Sequence, residues 1–161
     1  MLFLEGVKST MNRSLLYQSS RTQLIQQLIY FDEERNGFLN SYCNGSTRLK
    51  NSAEELINRY CAALEELLSD FSEDKLNSRV LIGSRLNLRY LEDGYTDTHT
   101  IVFPAYTEPS AGKISLLSPM GMQLLLAECN TEYLLEVPSG KIAVMIDSIT
   151  YENGGEVEKA I

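Results

Sequence analysis

Apolar residues recur at helical spacing in two stretches of the first half of the chain. Both stretches advance in alternating steps of four and three residues, so each places one seam along a helix. The seam positions are Leu24, Leu28, Phe31, Arg35, Phe38 and Tyr42 in the first stretch, and Ala53, Ile57, Tyr60, Leu64, Leu67 and Phe71 in the second. Asn44-Gly45-Ser46 lies between them and indicates a turn. We therefore predict an antiparallel, coiled-coil-like helical hairpin over residues 12–75.

Shorter signals mark the ends of these helices. Met11 comes just before the first helical pattern, so we expect residues 1–11 to form a disordered leader. Ser52 is followed three residues later by Glu55, which is typical of a capping box at the start of the second helix. Gly37 interrupts the first helix, and we expect it to bend or fray that helix.

After residue 75 the pattern changes to short runs that alternate apolar and polar residues, as half-buried strands do. The predicted strands are residues 85–90, 98–103, 114–117, 133–137 and 142–149. A short helix is predicted to start at Ser118-Pro119, because Ser favours the N-cap and Pro the first helical position. The fold class is thus α+β, with the hairpin followed over residues 78–153 by a small, mainly antiparallel sheet with one helix. We expect a flexible tail over residues 154–161.

Composition and charge exclude several classes of protein. The chain has 161 residues, of which 43% are apolar and 22% charged, as in soluble globular domains. It contains no stretch of about 20 consecutive apolar residues, so we expect a cytoplasmic protein with no membrane partner. The net charge is −8, and neither half offers a basic face for phosphates. We therefore expect no direct sequence-specific binding of nucleic acid.

The sequence offers no catalytic or metal-binding constellation. His99 is the only histidine, and the three cysteines lie far apart without a CxxC pair. The acidic cluster Asp32-Glu33-Glu34 falls on a helix, where consecutive side chains point about 100° apart and seldom converge on one ion. We therefore predict an accessory protein with no cofactor and no metal, not an enzyme.

Two surfaces are candidates for contact with a partner. The predicted loop from Cys43 to Asn51 is basic, since it contains Arg48 and Lys50 and no carboxylate. Together with Asn44 and Gly45, these residues suit an acidic surface or a phosphate, although an ordinary polar turn has the same composition. The start of the short helix at Ser118-Pro119 is the second candidate, because a helix start beside proline can expose an apolar contact.

Residues 78–153 resemble the C-terminal domain of bacterial Gre-type transcript cleavage factors. The most specific match is the run Gly112-Lys113-Ile114-Ser115-Leu116-Leu117-Ser118-Pro119-Met120-Gly121. Further matching runs, in the same order as in the family, are residues 80–88, 98–102, 136–141 and 146–151.

This resemblance implies an FKBP-like C-terminal domain without prolyl isomerase activity. In the family this domain docks on bacterial RNA polymerase at the rim of the secondary channel, and the helical hairpin enters the channel. An acidic pair at the hairpin tip then helps the polymerase to hold a second Mg²⁺ and to hydrolyse backtracked RNA. The family's contact region corresponds here to Ser118, Pro119, Met120 and Gly121.

The hairpin departs from the family pattern. The acidic tip motif is absent, and the hairpin is a couple of turns shorter, which places its tip roughly 10 Å short. A short hairpin on a Gre-like domain also resembles the Rnk-type regulators. The leading hypothesis is therefore a polymerase-binding elongation regulator without cleavage-stimulating activity. An active cleavage factor using Asp32, Glu33 and Glu34, and an FKBP-like folding helper, are the alternatives.

Overall fold

A computed structural model of the protein describes residues 2–158, and side chains from Leu15 to Glu158. The helices are α1 Leu2–Tyr42, α2 Thr47–Ser69, α3 Glu73–Leu76 and α4 Pro119–Leu124. The strands are β1 Ser84–Tyr90, β2 Thr96–Val102, β3 Lys113–Ser115, β4 Glu132–Val137 and β5 Gly140–Tyr151. α1 and α2 form a helical hairpin, and the five strands form one sheet. The predicted α+β fold class is therefore confirmed. No helix in the described part of the chain is both long and apolar enough to span a membrane.

The hairpin buries most of the seam that its sequence spacing predicts, but the seam residue Tyr42 is 39% exposed. On α1, Leu24, Phe31 and Phe38 are at most 2% exposed. The polar seam residue Arg35 donates from its guanidinium to Asn58 on α2. The buried residues of α2 are Ala53, Leu56, Ile57, Tyr60, Leu64 and Leu67. Burial of these side chains supplies most of the stability of the pair, because helices of this length gain little from intrinsic propensity.

The first helix is longer than its sequence suggested, and it is continuous through Gly37. We expected residues 1–11 to form a disordered leader, whereas residues 2–11 belong to α1. The chain contains no proline before Pro104, so no proline interrupts a helix over residues 2–11. Gly37 does not interrupt α1 either. One glycine costs a helix about 1 kcal/mol, and burial of the adjacent Phe38 and Leu39 outweighs that cost.

The second helix begins earlier than the predicted capping box. Its N-cap is Ser46, whose hydroxyl accepts a hydrogen bond from the Leu49 amide at 3.2 Å. Ser52, the expected N-cap, therefore lies inside α2. The loop between the helices shortens to residues 43–46, and this places Arg48 and Lys50 in the first two turns of α2.

The sheet has the strand order β3-β2-β1-β5-β4. The β2–β3 pair is parallel, and the other neighbouring pairs are antiparallel. β1 is the central strand, and its inward side chains alternate with exposed ones, so Leu86 and Leu88 are fully buried. The long strand β5 pairs with both β1 and β4, and a register shift between Asn87 and Leu88 bends the β1–β5 pair.

The hairpin lies against the sheet domain and shares one hydrophobic core with it. Phe103, which directly follows β2, is fully buried against α1. Its ring stacks on Phe31 at a centroid distance of 5.6 Å and meets Tyr30 and Phe38 edge-on at 5.4 and 6.1 Å. Aromatic contacts of this kind add to the free energy gained from buried area. The helices therefore do not project freely from the sheet domain.

The segment after β5 also packs on α1. We expected residues 154–161 to form a flexible tail, but Gly155 is buried and Glu158 is hydrogen-bonded. The side-chain oxygen Oε1 of Gln23 accepts a hydrogen bond from the Gly155 amide at 3.0 Å, and the side-chain Nε2 of Gln23 donates to the Asn153 carbonyl at 2.9 Å. Residues 159–161 lie outside the described chain. The tail is therefore an ordered strap as far as Glu158.

Candidate functional site

The start of α4 is a rigid turn with an exposed proline at its tip. Ser118 is the N-cap, as predicted, and its hydroxyl accepts a hydrogen bond from the Gly121 amide at 3.0 Å. The same hydroxyl donates to the Ser115 carbonyl at 2.7 Å. Pro119 occupies the first helical turn, where its missing N–H costs nothing, and its side chain is exposed. Met120 follows and is half-buried.

Gly121 allows this turn to pack closely on β3. It is buried, and a Cβ atom at this position would overlap the Ser115 carbonyl oxygen. On the other side, the Gln123 side chain donates to the Glu136 carbonyl at 2.6 Å and accepts the Glu136 amide at 2.8 Å. α4 is thus held to strands on both sides, so Pro119 is presented on a backbone that is already ordered.

The hairpin tip presents a different surface. Asn44 and Gly45 are exposed in the loop between α1 and α2. Arg48 is exposed on α2, whereas the Lys50 ammonium donates to the Asn40 amide oxygen of α1 at 2.8 Å. The described tip residues therefore form a small polar surface in which one of the two cations is already paired.

The tip is tied to the sheet domain by the tail. The Tyr42 hydroxyl donates to both carboxylate oxygens of Glu158 at 2.8 Å, and the Ala105 amide donates to the same carboxylate at 2.8 Å. Burial and the hydrogen bond with Glu158 raise the pKa of Tyr42 well above its usual value. Two donors therefore satisfy this carboxylate, which contacts the last residue of α1.

A buried polar network between the domains was not foreseen from the sequence. Gln27 is fully buried and donates to the carbonyls of Ile82 at 2.9 Å and Gly155 at 2.8 Å. The Tyr60 hydroxyl donates to the side-chain oxygen Oε1 of Gln27 at 2.6 Å and accepts a hydrogen bond from the Ile82 amide at 2.9 Å. The only signal was the polar pair Gln23 and Gln27, one turn apart beside the apolar seam, and helix surfaces carry such pairs routinely.

The remaining candidates do not assemble into a site. Asp32, Glu33 and Glu34 are exposed on α1 and lie away from the tip. The imidazole Nε2 of His99 is 3.1 Å from an Asp97 carboxylate oxygen, and the side chain is 14% exposed. Within residues 15–158, no group of three histidine, cysteine or acidic side chains is placed to hold a metal ion.

Aromatic residues of the sheet domain are dispersed and do not line one pocket. Phe103 and Tyr151 contact α1, whereas Tyr90 stacks on Tyr95 at 5.9 Å. The Tyr133 hydroxyl accepts the amide of residue 128 at 2.8 Å. This dispersal gives no aromatic cradle for a proline side chain.

Comparison with protein families identifies the sheet domain. Residues 75–151 match the family model described as "Transcription elongation factor, GreA/GreB, C-term". The sheet domain is therefore a C-terminal domain of the GreA/GreB type. The matched range contains the whole sheet, α4 and the Ser118–Gly121 turn.

Similar proteins include several factors named transcription elongation factor GreA. The one from Desulfovibrio desulfuricans is 28% identical over 149 residues, which cover 92% of this chain and 91% of that protein. The one from Dehalococcoides mccartyi is 36% identical over 85 residues, so this chain spans about half of its length, 54%.

Similar solved structures also come from this group. The GreA/GreB factor from Nitrosomonas europaea has 25% identity and a TM-score of 0.43, over 56% of this chain and 79% of that chain. The GreA factor homolog 1 (Gfh1) of Thermus thermophilus has 24% identity and a TM-score of 0.41, over 80% and 93% of the two chains.

Proposed function

We propose that this chain binds bacterial RNA polymerase at the rim of the secondary channel and regulates elongation without stimulating RNA cleavage. The observation that carries the proposal is the ordered Ser118–Gly121 turn within the family-matching domain. Its exposed Pro119 offers an apolar contact on a preformed backbone, so docking would cost little conformational entropy. The net charge of −8 favours a protein partner over direct binding of nucleic acid.

The hairpin supports the absence of cleavage stimulation. Residues 43–51 contain no carboxylate that could help to hold a catalytic Mg²⁺. Glu158, which lies beside the tip, is occupied by the Tyr42 hydroxyl and the Ala105 amide. Glu34 precedes Cys43 by nine residues, which is roughly 14 Å along a helix. To help hold a catalytic Mg²⁺, the hairpin would therefore need a carboxylate that lies far from its tip along the helix.

Binding of the full chain to core polymerase tests the docking site. The wild type is expected to co-purify with core polymerase at micromolar concentration, and Pro119→Asp is expected to lose binding, because the new charge must be desolvated against an apolar contact. The matched control is Pro138→Asp at the exposed turn between β4 and β5, which is expected to bind normally. Circular dichroism of all three proteins checks the fold.

Two results would contradict this part of the proposal. If the wild type does not bind core polymerase, RNA polymerase is not the partner. If Pro119→Asp binds as well as the wild type, the contact surface is not formed by Ser118, Pro119, Met120 and Gly121.

Stalled elongation complexes test the absence of cleavage. The wild type is expected to leave the RNA in a backtracked complex at full length. Shortened RNA would contradict the proposal. If the shortening disappeared when Asp32, Glu33 and Glu34 were changed to Ala, it would indicate a displaced acidic site. A prolyl-peptide isomerisation assay is expected to show no activity, because the domain's aromatic residues are dispersed.

A further inference from the structure

A line of exposed residues runs along α1 on the side away from the hairpin seam. Leu15 is 57% exposed and Ile29 is 50% exposed, which is unusual for aliphatic side chains in the middle of a long helix. The exposed line consists of Leu15, Gln18, Thr22, Gln26, Ile29 and Glu33. Its steps of three and four residues give it the spacing of a helix-packing seam. α1 therefore has one seam that the fold uses and a second that it leaves open.

The open seam forms one wall of a groove of about 950 Å³. The C-terminal tail, Tyr30 and Tyr106 complete its lining. The acidic residues of the groove are Glu33, Glu34, Glu156 and Glu158. An occupant should therefore be an elongated segment with apolar and basic residues.

The exposed line is symmetric about Thr22. Leu15 lies seven residues before Thr22 and Ile29 seven after it, while Gln18 and Gln26 lie four residues on either side. In an antiparallel pair of α1 helices centred on Thr22, Leu15 of each copy would therefore meet Ile29 of the other. The two amides at positions 18 and 26 would face each other in the same way.

Charge complements this register. The segment that precedes Leu15 begins α1, and over residues 2–14 its sequence has two basic residues, Lys8 and Arg13, and one acidic residue, Glu5. This segment therefore has a net charge of +1 in a chain with a net charge of −8. In the register centred on Thr22, this segment of one copy would lie along the end of the other copy's groove that contains Glu33 and Glu34.

We propose that the groove is occupied by α1 of a second copy of this chain, in an antiparallel homodimer centred on Thr22. Each protomer would cover the open seam of its partner and bring its basic segment to the partner's Glu33 and Glu34. The α4 turn lies outside this interface, so the proposal does not rest on binding to polymerase.

Light scattering on the purified full-length chain tests the dimer. The wild type is expected to have twice the monomer mass at micromolar concentration, and Ile29→Glu is expected to halve that mass, because it places two acids opposite apolar residues. The matched control is Leu134→Glu, since Leu134 is 61% exposed on β4, away from α1. This variant should stay dimeric, and circular dichroism should show that all three proteins are folded.

Single cysteines on the exposed line test the register. Thr22→Cys is expected to form a disulfide-linked dimer on mild oxidation, because residue 22 would face its own copy. In the same register the two copies of Gln26→Cys are roughly 12 Å apart along the axis, which is too far for a disulfide, so this variant should stay unlinked.

Several outcomes would overturn the proposal. A wild-type mass equal to one chain at all concentrations rules out the dimer. A dimer that persists in Ile29→Glu places the interface elsewhere, and linkage of Gln26→Cys as strong as that of Thr22→Cys rules out the antiparallel register. If the wild type were monomeric and Ile29→Glu lost polymerase binding, the seam would serve the polymerase.

Discussion

The Tyr60 hydroxyl donates a 2.6 Å hydrogen bond to the side-chain oxygen Oε1 of Gln27 inside the core between the hairpin and the sheet domain. Both side chains are at most 1% exposed. Together they bond the amide and the carbonyl of Ile82 and the carbonyl of Gly155, so α1, α2, the segment before β1 and the tail meet at one point. Buried polar groups must be paired, and this pairing fixes how the hairpin lies on the sheet domain.

We predict that Tyr60→Phe lowers the free energy of unfolding by about 1–3 kcal/mol. The substitution keeps the ring packed against Phe31 but leaves the Ile82 amide and the side-chain oxygen of Gln27 without a buried partner. Urea denaturation monitored by circular dichroism measures the change. Tyr95→Phe is the control, because Tyr95 is 62% exposed and the change should stay within about 0.5 kcal/mol. Equal effects of the two substitutions would contradict a structural role for the network.

Local spacing was enough to predict the elements but not their docking. The seams of α1 and α2 follow from a periodicity of 3.6 residues, and the predicted strands follow from a periodicity of 2. Each pattern can be recognised from a few neighbouring residues. The contact of the hairpin with the sheet domain depends on Gln23 and Gln27 meeting residues 153–155, about 130 positions away. Polar residues on a helix normally indicate a solvated face, so nothing local marked these two as buried.

The candidate site shows the same division. Ser118 as N-cap and Pro119 at the helix start were predictable, because these residue types favour those positions intrinsically. The predicted start of α2 at Ser52 was wrong because Ser46 and Ser52 both have a hydroxyl that can cap a helix. The turn after α1 selects Ser46, and the capping-box spacing at Ser52 is then not used. The position of the tip beside Glu158 could not be predicted, since it depends on the tail.

We predict that Gly121→Ala destabilises the protein by about 1–3 kcal/mol and weakens its binding to polymerase. The added methyl group would overlap the Ser115 carbonyl oxygen, so the first turn of α4 must move away from β3. Thermal denaturation and co-purification with core polymerase measure the two effects. For stability, Gly45→Ala at the hairpin tip is the control, because no atom lies within 4 Å of its Cβ position. A fully stable Gly121→Ala protein would show that the turn is not rigid.

We predict that Gly155→Ala releases the tail from α1. A Cβ atom at this position would overlap the Ile82 carbonyl oxygen and the Gln27 side-chain amide. Limited proteolysis should then cut the tail after residue 152 much faster than in the wild type. The neighbouring Gly154→Ala is the control, since its Cβ would meet only the Thr100 methyl group at 3.6 Å. If both variants were cut at the same rate, the tail would not be held at Gly155.

Finally, the tail should influence how the protein responds to alkaline pH. Burial, followed by the negative charges of Glu158 and Glu34, raises the pKa of Tyr30 to about 12. Its pKa in the unfolded chain is about 10. Between these two values the unfolded state loses its proton while the folded state keeps it. The contribution of Tyr30 to the free energy of unfolding should therefore be constant below pH 10 and fall as the pH rises toward 12.

Glu158→Gln tests the electrostatic part of this shift. The amide removes the charge beside Tyr30, while its oxygen can still accept from Tyr42 and Ala105, so the tail should stay in place. We predict that the pKa of Tyr30 falls but remains above 10, because burial and Glu34 still raise it. Tyrosine-resolved NMR titration measures the change, with Glu156→Gln as a control that leaves both contributing charges intact. An unchanged pKa in Glu158→Gln would mean that the charge of Glu158 does not contribute to the shift, and alkaline unfolding would then be independent of that charge.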